Sequence, residues 1–187
     1  AQVTPCSSQR PKTFRAMVLS RAFWVCMLTH VAAMKCPGSK SFIHASAKVV
    51  AIASASCQDV HEEVIARVQS PTWHDPHNGG TYSIVSDSSS EIQLQRLTGN
   101  KKYTDKMILT LAATSGRCMI MACSESQVFS IADGSTNYCN LRNLYCGSAD
   151  GCKPVKNDFT SRETGVKPSF GAGSASQACI KGEQISH

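Results

Sequence analysis

The chain has 187 residues, enough for one domain with a tail, and ten cysteines, well above ordinary usage. A formal charge of +6 and a pI near 8.8 would suggest an acidic partner. The placement of charge removes that support: residues 1–56 hold seven of the nineteen basic residues and no acidic one, while residues 57–187 hold twelve basic and thirteen acidic. A nucleic-acid partner is therefore not expected.

A basic, acid-free, Ser- and Ala-rich N-terminus has the composition of a targeting segment, and residues 1–55 are read as a leader. Residues 1–16 precede the first methionine, Met17, and are read as upstream sequence or a fragment edge. Within 17–55, Arg21 supplies charge, Ala22–Leu28 an apolar run, and Val31-Ala32-Ala33 the small residues of a cleavage site. A second candidate follows, with Val49–Ile52 as its apolar run and Ala53-Ser54-Ala55 before Ser56. Two other readings stay open: a buried helix over Phe23–Val31, and a two-part leader with an organelle transit stretch from Lys35 to Ser56. The run is too short for a membrane span, and His30 interrupts it.

Residues 56–187 are read as a single cysteine-rich domain. Asp59 with Glu62 marks a helix start, and Val60, Val64, Ile65 and Val68 share one helical face. That helix should stop by Ser70, because Pro71 restricts the residue before it. A polar loop, 71–80, ends in the turn signal Asn78-Gly79-Gly80. The period then changes to two, with strands expected over 81–86, 91–97, 106–112, 118–123 and 127–131. Beyond about residue 134 the pattern gives way to Gly, Ser, Asn and Cys. A short helical turn is expected over 137–146, and a loop or tail over 160–178. The fold class is mainly β with one N-terminal helix, in a small disulfide-stabilised antiparallel meander, sandwich or barrel.

Cys57, Cys118, Cys123, Cys139, Cys146, Cys152 and Cys179 fall in this domain, and none forms a Cys-x-x-Cys pair. Zinc and dithiol redox chemistry usually need that spacing, so a disulfide framework is the better account in an exported chain. Seven is odd. Cleavage near Ala33 would keep Cys36 and make eight.

The stretches Cys123–Cys146 and Arg96–Lys106 resemble those of uncharacterised secreted cysteine-rich proteins of marine unicellular algae, over about residues 57–180. The resemblance implies export and a single domain, and assigns no activity or functional residue.

Trp73-His74-Asp75-Pro76-His77 is the densest chemical cluster. His74, Asp75 and His77 could bind a metal or supply a general base, although a solvated turn is the plainer reading. Trp73, Tyr82, Tyr138 and Tyr145 could form an aromatic platform for a glycan or protein, or could be core residues. The leading expectation is a secreted or cell-surface module that binds or builds, without a cofactor. Its alternatives are a secreted hydrolase using the His74/Asp75/His77 loop and residence in an organelle lumen reached by the secretory route.

Overall fold

The computed structural model describes residues 34–185. The expected signal segment up to Ala33, with Cys6 and Cys26, lies outside the described residues. Six strands form one open sheet: β1 (Ser46–Ala53), β2 (Thr81–Ser88), β3 (Glu91–Leu97), β4 (Thr104–Thr114), β5 (Arg117–Ser126) and β6 (Ser161–Pro168). Their order is β2-β3-β4-β5-β1-β6, and every pairing is antiparallel. Helices α1 (Cys57–Gln69) and α2 (Thr136–Tyr145) pack on the same face of the sheet, and short 3-10 segments follow at Ser148–Asp150 and Ser176–Ile185.

β2 to β5 form the meander that alternation leads one to expect. Ser115 and Gly116 both take positive φ between β4 and β5, the backbone a two-residue hairpin needs. Ile92, Leu94, Met107, Leu109, Ile120 and Ala122 point one way and are buried. Helix α1 closes over them with Val60 and Val64, each contributing about 1.5–3 kcal/mol by leaving water. Its cap is Ser56, three residues before the expected start. The Ser56 hydroxyl accepts from Asp59 N–H, and the Asp59 carboxylate accepts from Ser56 N–H. The helix ends at Gln69, before Pro71, as expected.

Four expectations are corrected. First, residues 46–53, read as leader, form a strand between β5 and β6. Ala47, Val49, Ala51 and Ala53 line its buried face, and their small side chains leave room for α2 to pack closely. The folded unit therefore begins well before Cys57. Second, residues 127–131 are not a strand, while the expected loop after residue 160 contains β6. Third, the helical turn expected near 137–146 is a full ten-residue helix, so the N-terminal helix has a companion. Fourth, there is one open sheet, neither a sandwich nor a barrel.

Four disulfides clamp this unit. Cys57–Cys118 ties the first turn of α1 to β5, and Cys36–Cys123 ties the N-terminal segment to the opposite face of β5. Cys139–Cys179 joins α2 to the C-terminal segment, and Cys146–Cys152 closes the loop after α2. Cys36 is thus the eighth member that parity required. Among the described residues, no helix is long and apolar enough to cross a membrane.

Candidate functional site

Helix α2 carries asparagines at positions 137, 140 and 143, all buried. Their amides form a polar ladder along the ends of β4 and β5. Asn137 Oδ1 accepts from the Ser124 hydroxyl (2.7 Å), and its amide donates to Ser126 Oγ (3.0 Å). Asn140 donates to Asp105 (2.8 Å) and Asn143 to Asp75 (2.9 Å). Arg96, on β3, fills the space between these acids. It donates to Asp75 and Asn78, lies 3.7 Å from Asp105, and rests on the Tyr82 ring at 5.6 Å. Gly80 packs beside it, where a Cβ would overlap the guanidinium and force it to shift.

Asn78, Asp105 and Ser126 of this network face a cleft of about 580 Å³ between the β3–β4 turn and the loop from β5 to α2. Tyr103 stands on one bank, 49% exposed, and Phe129 on the other, 68% exposed. Asp105 and Ser126 lie in the floor, and the Ser126 hydroxyl donates to the Asp105 carboxylate at 2.8 Å. Asp133 is committed locally: it accepts from Ser135 N–H, Asn137 N–H and the Asn137 amide, holding the start of α2 in place. Among the described residues, no Lys, Arg or His lines the cleft. The arrangement can receive a ligand that offers an apolar face to the two rings and hydroxyl or amide groups to the floor.

The residues singled out from sequence fall elsewhere. The Asp75 carboxylate is buried against Arg96 and Asn143, and also accepts from His77 N–H. His77 donates from Nδ1 to the Ala178 carbonyl at 2.8 Å, and its Nε2 sits 3.3 Å from the Thr136 hydroxyl. His74 is exposed in a shallow groove with Trp73 and Val155. The three do not converge. Among the described residues, the one His, Cys, Asp and Glu cluster whose atoms meet within 4.8 Å is Cys36, Cys123 and Glu125, and its two sulfurs are bonded to each other.

The aromatic quartet also divides. Trp73 and Tyr82 touch with ring centroids 5.7 Å apart. Tyr138 and Tyr145 are core residues, 2% and 0% exposed, so they form no solvent-facing platform with the other two. With Arg142 they line one face of α2 and converge on Glu163 of β6, each hydroxyl donating to its carboxylate. Burial, reinforced by that negative charge, pushes both phenols above their ordinary pKa.

Sequence reading missed the cleft because Asp105, Tyr103, Ser126 and Phe129 form no motif and meet only through the meander. Their one visible signal was Val128-Phe129 in a Ser-rich stretch, which suggested a fifth strand instead. No family model matches the chain, and no curated protein matches it.

Proposed function

We propose that the chain is an exported recognition module that holds a neutral, hydroxyl-bearing ligand, a short glycan segment, in the cleft between Tyr103 and Phe129. The observation that carries this reading is the pairing of two exposed rings with a floor of carboxylate, hydroxyl and amide groups that, among the described residues, no cation lines. Sugar rings offer C–H faces for aromatic contact and hydroxyls for oriented hydrogen bonds. A concavity suits a small protruding unit better than a flat protein surface.

Export is supported by the disulfides, which persist in oxidising compartments. The resemblance to secreted algal proteins agrees with it. Cleavage after Ala33 would leave all eight paired cysteines in the mature chain. Cleavage near Ser56 would remove β1 and strand Cys123 without Cys36. We therefore place the mature N-terminus at Met34.

A neutral glycan array probed with the oxidised protein tests the cleft. We expect a defined set of uncharged oligosaccharides to bind and to be lost in Tyr103→Ala and Phe129→Ala. Binding that survives both substitutions, or an array bearing no ligand, would contradict the reading.

A further inference from the structure

A second site lies at the other end of the strands, on the sheet face that carries no described helix. Arg117 opens β5, and Arg162 sits on β6 directly across from Ile52 of β1. The two arginines line one groove, of about 420 Å³, with Ile52 in its floor and Ser54, Thr160 and Thr164 on its walls. Both are exposed, and neither guanidinium meets a carboxylate among the described residues. The nearest acid in sequence, Glu163, is turned under the sheet and engaged by Tyr138, Arg142 and Tyr145.

The hydroxyls are also set for an anion. Ser54 Oγ accepts from both Thr160 N–H (3.1 Å) and the Thr160 hydroxyl (3.0 Å). Its own proton is then free to be donated into the groove.

The positive character continues along the same face. Lys48 and Lys167 stand directly opposite each other in the β1–β6 register, a like-charge pairing that works against the sheet. From Ser54 to Lys48 the stripe runs about 20 Å at the rise of an extended strand. The acids on this face are already engaged: Glu125 accepts from Gly38 N–H, and Glu91 meets Lys35.

We propose that this stripe binds an anionic polysaccharide, with Arg117 and Arg162 gripping one sulfate or carboxylate and Lys48 and Lys167 the next. Planar guanidinium forks match such groups through paired hydrogen bonds. Among the described residues, no aromatic side chain lines the groove to stack a nucleobase, which disfavours single-stranded nucleic acid. The fully exposed phenylalanines, Phe42 and Phe170, are not among its lining residues, so it offers no wedge for a membrane. This site stands apart from the Tyr103–Phe129 cleft, and either can fail without the other.

The test uses the full oxidised chain and heparin as probe. Binding is measured by fluorescence titration across a salt series, with duplex DNA and phosphatidylserine vesicles as competing anions. Arg117→Gln with Arg162→Gln should weaken heparin binding by about ten-fold or more and flatten its salt dependence. Lys101→Gln with Lys102→Gln removes the same charge from the β3–β4 turn and should change it less than two-fold, or about 0.4 kcal/mol. Equal losses in the two double variants, or no heparin binding at all, would overturn the proposal. So would DNA or vesicles binding more tightly than heparin through the same two arginines.

Discussion

Asp75 and Arg96 form an ion pair in the interior of the domain, with side chains 1% and 0% exposed. Asp75 lies between His74 and His77, the loop a sequence reader would search for a metal. Its carboxylate is instead the anchor that fastens that loop to β3 and α2. Truncating one partner of such a pair leaves a charge buried without compensation, which typically costs about 3–5 kcal/mol. Asp75→Asn should lower urea-unfolding stability by that amount. Added zinc should leave the melting temperature of the wild-type protein unchanged, whereas a zinc-dependent rise lost in His74→Ala would show that the loop holds metal after all.

Glu63 and Arg67 form a second buried anchor, one turn apart on α1. Burial opposes ionisation of Glu63, but backbone N–H groups of Asn157, Val155 and Lys156, together with Arg67, outweigh it and hold the carboxyl below its ordinary value of 4.5. A carboxyl lowered in the folded state stabilises the protein above its unfolded pKa, and that contribution fades as pH falls through the folded value. Stability measured by urea titration should therefore decline on acidification below about pH 4.5. Glu63→Gln should flatten this decline and reduce stability at neutral pH; an unchanged acid limb would assign the decline to other groups.

Tyr82, Tyr138 and Tyr145 are all held above the ordinary phenol value, first by burial and then by nearby carboxylates. Their folded pKa values are raised, so the neutral form is favoured, and its stabilisation is present below pH 10 and lost as pH rises past the unfolded value. An absorbance titration at alkaline pH should show these three tyrosines resisting ionisation until the protein unfolds. Reversible ionisation of Tyr138 and Tyr145 near pH 10 in the folded protein would contradict the buried Glu163 cluster.

Tyr103 and Phe129 stand outside the core, so removing either should cost binding without costing structure. Surface substitutions of this kind usually alter stability by less than about 0.5 kcal/mol. Thermal unfolding of Phe129→Ala should match wild type, while glycan binding is lost. A large drop in melting temperature would instead make Phe129 a packing residue of the loop.

The strongly periodic parts of the fold were legible in the sequence. The meander alternates, and α1 has both its apolar face and its proline stop. β1 was hidden because alanine has weak strand preference, and an Ala-Val-Ile run beside Lys48 also satisfies the composition of a leader. Its strand nature comes from pairing with β5 and β6, which are distant in sequence. α2 was under-read because asparagine ordinarily favours turns over helix interiors. Here the side-chain amides of Asn137, Asn140 and Asn143 donate to Ser126, Asp105 and Asp75, partners that only the folded domain brings together. The arginine groove was equally silent, since Arg117 and Arg162 are brought together by β1 lying between their strands.

Disulfide mapping tests the central claim, a clamped domain that takes in residues 36–55 as structure rather than leader. The native protein would be alkylated, digested without reduction, and its linked peptides sequenced. The structure requires the Cys36 peptide joined to the Cys123 peptide, alongside Cys57–Cys118, Cys139–Cys179 and Cys146–Cys152. A native protein in which Cys36 alkylates freely, or in which residues 34–55 have been removed, would contradict it.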